Sequence, residues 1–199
     1  MFRSKIVFTL VAGVASFALP AFSQSETGRN EMSAQAFGSF LKATTENGVQ
    51  NSASNSGGVL PSYRYYFDSH NGVEVNYGYS LNTQRFQSSS GAFGVKSYSH
   101  EASAAYVFRL PLRGFTPFVT AGVGGLVFDP KDLQGIDYQA RAVFVYGGGA
   151  DFNLSNRVFV RAEYRGLVYN SPIYNLDSLN GTDRITHRAE PSVGFGYRF

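Results

Sequence analysis

The chain of 199 residues has no cysteine and no tryptophan, and only 16% of its residues are charged. Without cysteine no disulfide can stabilise it, so an exported protein of this sequence needs a large core or a membrane. Beyond the amino terminus, no apolar run reaches the ~20 residues of a transmembrane helix. Aromatic residues are abundant, with 18 Phe and 13 Tyr, and such a composition excludes a largely disordered chain.

The amino terminus has the pattern of a secretory signal peptide. Arg3 and Lys5 precede an apolar stretch over residues 6–19, and small residues at positions 21 and 23 permit cleavage after Ser23. We therefore expect residues 1–23 to be a signal peptide.

The mature chain then divides into a short polar segment, residues 24–32, and one folded domain, residues 33–199. Removal of the two basic residues of the leader lowers the formal net charge of +3 to +1. A mature chain with so little net charge gives no reason to expect a nucleic-acid partner.

Polar and apolar residues alternate along the mature chain, which predicts β-strands and no helix. Eight such segments cover about 33–44, 59–67, 73–85, 97–110, 116–128, 140–153, 158–170 and 187–199. Tight turns at 68–72, 111–115 and 154–157 alternate with long polar connections at 45–58, 86–96, 129–139 and 171–186. This alternation is typical of an all-β, eight-stranded antiparallel up-and-down barrel with short periplasmic turns, long outer loops and both termini on the periplasmic side.

In six of the eight segments the charged residues share one face, opposite a face of aromatic and aliphatic residues. The charged face carries Arg64, Glu74, Glu101, Arg109, Arg141, Asp151, Arg161, Glu163, Arg165, Arg188, Glu190 and Arg198. Alternation alone fits either a membrane barrel with the apolar face outside or a soluble barrel with that face inside. Segments 33–44 and 116–128 show no clean register, so we assign no face there.

Three features favour the membrane. The aromatic face is too bulky for the interior of an eight-stranded barrel, which is only wide enough for side chains. Charges spaced two apart, as in residues 161–165, suit an interior ion-pair network. The third feature is an aromatic girdle near the short turns, formed by Phe67, Phe108, Phe152, Tyr197 and Phe199.

Residues 59–84, 116–124 ("TPFVTAGVG"), 145–165 and the terminal "SVGFGYRF" (192–199) resemble the small outer-membrane β-barrel family, the eight-stranded outer-membrane-protein-A-like transmembrane domain. The resemblance implies a Gram-negative outer membrane. It also implies that Val193, Phe195, Tyr197 and Phe199 form the signal read by the outer-membrane insertion machinery. Larger relatives carry a peptidoglycan-binding domain, which has no counterpart here, so tethering to the cell wall is not implied.

We expect the interior charges to pair with one another and fill the lumen. The predicted lumen charge network comprises Arg64, Glu74, Glu101, Asp151, Arg161, Glu163, Arg165, Arg188 and Glu190. A narrow or gated pore lined by the same residues is the alternative.

Catalysis and cofactor binding find little support. Ser99 and Glu101 face away from His100 on one strand, while His187 and His70 lie elsewhere, so neither a hydrolase site nor a metal site is predicted. The glycine runs 121–125 and 146–151 do not lead into a helix, so we interpret them as packing devices of two neighbouring strands that bring the glycines together.

The expected protein is therefore a non-enzymatic, monomeric outer-membrane barrel without cofactor. Outer-membrane lipid and lipopolysaccharide surround it, and its role is structural or carried by four loops whose ligand the sequence does not name. A lipid A-modifying enzyme and a soluble exported ligand-binding barrel are the less favoured alternatives. The sequon at Asn180 is better explained as a turn.

Overall fold

Antiparallel strands make up nearly all of the described chain. In the computed structural model, residues 28–41, 44–46, 49–53, 56–88, 91–130, 139–170 and 185–199 are described. Ten strands occur: β1 (Asn30–Leu41), β2 (Thr44–Glu46), β3 (Val49–Ala53), β4 (Ser56–Tyr66), β5 (Asn71–Ser88), β6 (Gly91–Arg109), β7 (Phe115–Pro130), β8 (Gln139–Asn153), β9 (Val158–Asn170) and β10 (Ile185–Arg198). None of these residues forms a helix long and apolar enough to cross a membrane. The predicted signal peptide lies outside the described residues.

Eight of the strands close into a ring in the order β1, β4, β5, β6, β7, β8, β9, β10. Closure comes from β1 and β10, where Ala34 lies opposite Phe195 and Ala36 opposite Val193. All neighbours are antiparallel. A closed ring leaves no unpaired edge among the barrel strands. The predicted eight-stranded antiparallel barrel is confirmed.

The prediction of a long loop over residues 86–96 is wrong. There β5 and β6 continue as a paired ribbon from Asn82 opposite Ser97 to Ser88 opposite Gly91, so residues 89–90 alone connect them. Strands β2 and β3 form a hairpin within the connection that follows β1, and β3 pairs with the ribbon through Ala53 opposite Gln84. Strand pairing satisfies the backbone hydrogen bonds whatever the side chains are. These extensions therefore need no apolar face, and their polar sequences were interpreted as loops.

The two faces of the barrel wall differ as the alternation predicts. Large apolar side chains point outward and are well exposed, for example Val119, Phe144 and Phe195, whose exposed fractions are 57%, 50% and 66%. The interior holds the buried charges. For the two segments left without a face, β1 points Glu31, Ser33, Gln35, Phe37 and Ser39 inward, and β7 points Thr116, Phe118, Thr120, Leu126 and Phe128 inward.

Both described ends of the chain lie at the end of the barrel that carries the three short turns. The amides of Asn30 and Phe199 each donate to the other residue's carbonyl oxygen, at 3.3 and 3.0 Å. The turn between β6 and β7 contains Gly114 with φ of +92°, a left-handed conformation that glycine adopts without the strain of a Cβ. We call this the short-turn end, and the opposite end the loop end.

Candidate functional site

The lumen has two unlike walls. The charged wall consists of acidic and basic side chains from β1, β4, β5, β6, β8, β9 and β10. The apolar wall consists of Leu126, Phe128, Val143, Val145, Leu167 and Tyr169 on β7, β8 and the loop-side end of β9. Each side chain of the apolar wall is at most 4% exposed. Other buried apolar side chains, such as Leu60, Val107 and Phe159, lie on the strands of the charged wall, so the expected polar lumen is polar only in part.

Arg161 on β9 is the centre of the charged wall near the short turns. Its guanidinium donates to both carboxylate oxygens of Asp151, at 2.7 and 2.8 Å, and to Glu31 at 2.9 Å. The pair with Asp151 is a two-point contact between a planar fork and a carboxylate, the strong geometry for this pair of groups. Alternation along β9 explains the placement, since Arg161, Glu163 and Arg165 all point inward.

Arg64 on β4 lies beside this centre and is fully buried. Its Nε donates to Glu74 on the neighbouring strand β5. Its Nη2 lies 3.7 Å from Oε1 of Glu163, across the lumen. The guanidinium also sits 4.0 Å from the centre of the Phe118 ring. The aromatic ring supplies a favourable surface for a cation removed from water.

Two further arginines close the short-turn mouth of the lumen. Arg109 and Arg198 donate to the same oxygen of Glu31, at 3.0 and 2.8 Å. Each guanidinium also covers an aromatic ring, that of Tyr66 at 3.4 Å and that of Phe159 at 4.7 Å. Both arginines are partly buried, and through their ion pairs with Glu31 they cover this end of the lumen.

A second cluster lies nearer the loop end. Arg165 on β9 pairs with Glu101 on β6 and with Glu190 on β10, the latter at 3.2 Å. Arg188 donates through Nε to Glu190 at 2.7 Å and through Nη1 to the Ser99 hydroxyl at 3.2 Å. The cluster links three strands that are not all neighbours in the ring, so it spans the lumen.

The ion pairs of the interior are balanced in charge, and Arg141, also on the inner face of β8, donates to Gln139 at 3.2 Å instead. Six guanidinium groups meet six carboxylates in these ion pairs: Arg64, Arg109, Arg161, Arg165, Arg188 and Arg198 with Glu31, Glu74, Glu101, Asp151, Glu163 and Glu190. Buried charges are tolerated when they are paired and hydrogen-bonded. All nine residues of the predicted network lie in this interior set, and the sequence-based network omitted Glu31, Arg109 and Arg198. Glu31 lies in residues 24–32, which were predicted to precede the first strand, whereas β1 begins at Asn30.

Several buried polar atoms of the charged wall have no hydrogen-bond partner among the described residues. They include Nη1 and Nη2 of Arg64, Oε1 of Glu163, Oε2 of Glu101 and the hydroxyl of Ser80. Buried polar groups of this kind are usually satisfied by ordered water. The charged wall thus has polar atoms that internal water could satisfy, whereas the side chains of the apolar wall are almost entirely hydrocarbon.

Gly149 on β8 leaves room for the Phe118 ring between the two walls. A Cβ on Gly149 would lie 2.9 Å from the Phe118 ring and closer still to the backbone of β9. Phe118 fits between the walls because β8 has no side chain at that point. The interpretation of residues 146–151 as a packing device is thereby supported, but the two glycine runs do not pair: Gly149 lies opposite Phe118, and Gly122 opposite Val145.

The histidines are distributed as the strand alternation predicts. Ser99 and Glu101 point into the lumen, while His100 is on the outer surface with its Nδ1 2.7 Å from the Tyr77 hydroxyl. His187 is also outside, 2.8 Å from the Tyr146 hydroxyl. His70 lies in the turn after β4, beside Ser69. These positions separate Ser99 from every described imidazole that could activate it.

The last strand presents Val193, Phe195 and Tyr197 outward, with exposed fractions of 57%, 66% and 43%. Tyr197 stacks on Phe199, with ring centres 6.3 Å apart. Arg198, between them in sequence, points into the lumen mouth. A strand with an apolar outer face and an ionic inner face is the opposite of a soluble barrel, and it defines a barrel whose outer solvent is lipid.

A closed antiparallel barrel with an apolar exterior and an interior of paired charges is a transmembrane β-barrel. The model of the outer membrane protein beta-barrel domain matches residues 9–199, and the chain belongs to this family of Gram-negative outer-membrane proteins. No curated protein sequence matches the chain.

Solved structures of small outer-membrane barrels share the fold. OprG of Pseudomonas aeruginosa is 13% identical with a TM-score of 0.61, over 87% of this chain and 97% of that one. Neisserial surface protein A is 12% identical with a TM-score of 0.62, over 88% of this chain and 100% of that one. Ail of Yersinia pestis, solved with the heparin analogue sucrose octasulfate, is 19% identical with a TM-score of 0.54, over 86% and 99%. At these identities the likeness concerns the fold.

Proposed function

We propose that this outer-membrane barrel is a rigid, non-conducting platform whose function is surface interaction at the loop end. In this proposal the short turns and both termini face the periplasm, the protein acts as a monomer, and residues 1–23 are removed as a signal peptide. The observation that carries the proposal is the filled lumen. Six basic and six acidic side chains pair with one another inside it, and a barrel filled in this way leaves its outer ends to interact with partners.

The loop end offers a defined surface for such a partner. The ribbon of β5 and β6 continues beyond the last pairing of β6 with β7, at Ser97 opposite Pro130, and carries the β2–β3 hairpin on its other side. Among the described strands, none pairs with residues 91–96 on the far side of β6. In this proposal the edge of β6 accepts a further strand from another protein, as exposed strand edges do.

Charge favours a protein partner over a polyanion. The loop-end segments together hold five basic and six acidic residues: Lys42, Arg85, Lys96, Lys131 and Arg184 against Glu46, Asp129, Asp132, Asp137, Asp177 and Asp183. A surface with almost no net charge has no general attraction for sulfated glycans. We therefore place a polypeptide strand ahead of a heparin-like ligand for this chain.

Truncation of the ribbon tests the platform role. Thr83 lies opposite Lys96, so replacing residues 84–95 by Asn-Gly keeps the register and closes the hairpin with a favoured two-residue turn. We expect the variant to fold, shown by heat-modifiable gel migration, and to lose adhesion and survival phenotypes that the full chain supports. Arg29→Gln, an exposed position at the opposite end, is the control. Unchanged adhesion after truncation would remove the ribbon from the proposed function.

The insertion signal is proposed from the resemblance and from the outward apolar face of β10. Deletion of Phe199 should leave most of the chain unassembled in the periplasm, whereas Phe67→Ala, which removes another girdle aromatic from the same end, should assemble normally. Protease protection and heat-modifiable migration measure assembly. Equal assembly of the Phe199 deletion and the control would contradict a specific signal.

A narrow or gated pore is the second candidate, and the unpartnered polar atoms of the charged wall favour it. Single-channel recording in planar bilayers separates the two: the platform gives no steps, and a pore gives discrete steps. Lipid A modification is not expected, because Ser99 lies in the lumen and His100 on the outside; lipid A mass that is unchanged by the purified protein would agree with this.

A further inference from the structure

The turns after β6 and β8 form a cationic and apolar surface at the short-turn end, which we call the β7–β8 rim. It consists of Leu112, Arg113, Phe115, Phe152, Leu154 and Arg157. Four of these side chains are large, apolar and 41–63% exposed. Since β7 and β8 are neighbours in the ring, the two turns lie side by side.

The rim is held in one shape by hydrogen bonds. The amide of Asn153 donates to the Gly114 carbonyl at 3.0 Å and joins the two turns. The Ser155 hydroxyl accepts from the amide of Val158 at 3.0 Å, and the Arg198 amide donates to the Arg157 carbonyl at 2.7 Å. Phe115 stacks on Phe152, with ring centres 6.5 Å apart. A ligand on this surface meets preformed geometry.

The two rim arginines differ from those of the charged wall. Arg113 makes no hydrogen bond or ion pair with any described residue. The Arg157 guanidinium reaches only the Tyr197 hydroxyl, at 3.5 Å, and no described carboxylate. Neither turn contains Asp or Glu in residues 110–117 or 152–158. Two exposed guanidinium groups thus flank an apolar surface without any counter-charge from their own turns.

The third short turn provides the contrast at the same end. Residues 67–70 include Asp68, whose carboxylate accepts from the amides of His70 and Asn71 at 2.7 and 2.8 Å. This turn lies across the ring from the turn after β8 and contains no arginine or lysine. Of the three short turns, those after β6 and β8 therefore each carry an arginine of their own, whereas the turn after β4 carries a carboxylate.

We propose that the β7–β8 rim is a binding site for an anionic phospholipid, with the phosphate of phosphatidylglycerol attracted by the exposed guanidinium groups of Arg113 and Arg157 and the acyl chains packed against Leu112, Phe115, Phe152 and Leu154. Guanidinium forks bind phosphate through paired hydrogen bonds, and exposed apolar side chains at the membrane boundary contact lipid. The assignment of this lipid to the periplasmic leaflet rests on the orientation given under the proposed function. The arrangement of the rim residues does not depend on that orientation.

Native mass spectrometry of the full mature chain, refolded in detergent, tests the site. The probes are phosphatidylglycerol and phosphatidylcholine with the same acyl chains. We expect the wild-type chain to prefer phosphatidylglycerol by about tenfold, in keeping with the attraction of basic residues at an anionic surface. The double variant Arg113→Gln with Arg157→Gln should lose the preference, and Arg113→Lys with Arg157→Lys should keep part of it. Heat-modifiable migration shows that each variant is folded.

Arg29→Gln is the control, because it removes an exposed positive charge from the same end but outside the rim. We expect it to keep the preference. Equal affinity of wild type for the two lipids, or an equal loss in Arg29→Gln, would overturn the proposal. Displacement by an equal concentration of glycerophosphoglycerol would show a site for free phosphodiester and would also overturn it. Adhesion assays of the loop end are independent of all these outcomes.

Discussion

The charged wall and the apolar wall of the lumen solve the same packing problem with different chemistry. Both fill the interior of an eight-stranded ring, and both are almost completely buried. The charged wall depends on each group finding its partner, since an unpaired buried charge is strongly destabilising. The apolar wall depends only on volume and shape. One fold therefore accommodates two kinds of interior. The effect of a substitution on the free energy of unfolding should depend on the wall in which it is made.

The largest expected effect is in the charged wall. Arg161→Met removes the hydrogen-bonding partner of Asp151 and one partner of Glu31, leaving buried carboxylates with too few cations. We expect a loss of about 3–5 kcal/mol in the free energy of unfolding, the range for a broken buried pair. Urea unfolding of the protein folded in lipid vesicles measures it. A loss under about 1 kcal/mol would show that water, rather than the arginine, satisfies these carboxylates.

A deletion in the apolar wall should have a somewhat smaller effect. Leu167→Ala creates a cavity beside Val143 and Tyr169 in a fully buried cluster. The expected loss is about 2–4 kcal/mol in the free energy of unfolding, from lost burial plus the unfilled space. The same urea titration applies. Leu154→Ala, on an exposed side chain of the short-turn end, is the control and should change the unfolding free energy far less.

The seam between the walls gives a third, finer comparison. Gly149→Ala places a methyl group against Phe118 and the β9 backbone, and Phe118 in turn carries the Arg64 guanidinium. We expect about 1–3 kcal/mol of destabilisation from overpacking. Gly125→Ala on β7 is matched to it, because a Cβ there meets nothing within 4 Å. Equal unfolding free energies for the two variants would mean that the walls are not tightly joined.

The smallest effect concerns an exposed carboxylate outside both walls. Hydrogen bonds from the Asn71 side chain and from the amides of His70 and Asn71 lower the pKa of Asp68 below its usual 3.8. The contribution of this turn is therefore fully present above pH 3.8 and is lost as pH falls through the lowered pKa of the folded state. We expect the contribution of Asp68 to the free energy of unfolding to be the same at pH 7 and at pH 5. An NMR titration of Asp68 checks this, and a midpoint above 3.8 would contradict it.

The sequence predicted the barrel well where one face carries charge. Strands such as β9 alternate Arg161, Glu163 and Arg165 with apolar residues, and only one register keeps those charges out of lipid. The same logic failed for β7. Its inward residues include Phe118 and Leu126 and its outward residues include Val119 and Val123, so both faces are apolar. When both faces of a strand are apolar, the sequence does not show which face contacts lipid and which contacts the apolar wall of the lumen.

Partners across the lumen were beyond sequence reasoning for a different reason. Glu31 joins Arg109, Arg161 and Arg198, which are 78 to 167 positions away along the chain. Alternation predicts that charged side chains point inward, but it does not predict which of them lie at the same level along the barrel axis. That depends on the pairing register, which only the closed ring defines.

By itself, the sequence determined the eight strands, their antiparallel order, the inward charges and the outward aromatic surface, because these follow from local alternation and from turn chemistry. Tertiary structure alone decided that the interior has an apolar wall, that the ribbon of β5 and β6 extends past the barrel, and that the turns carrying Arg113 and Arg157 are neighbours. Each of these depends on which strands become neighbours and in what register. Strand register is a property of the closed barrel, and no single strand contains it.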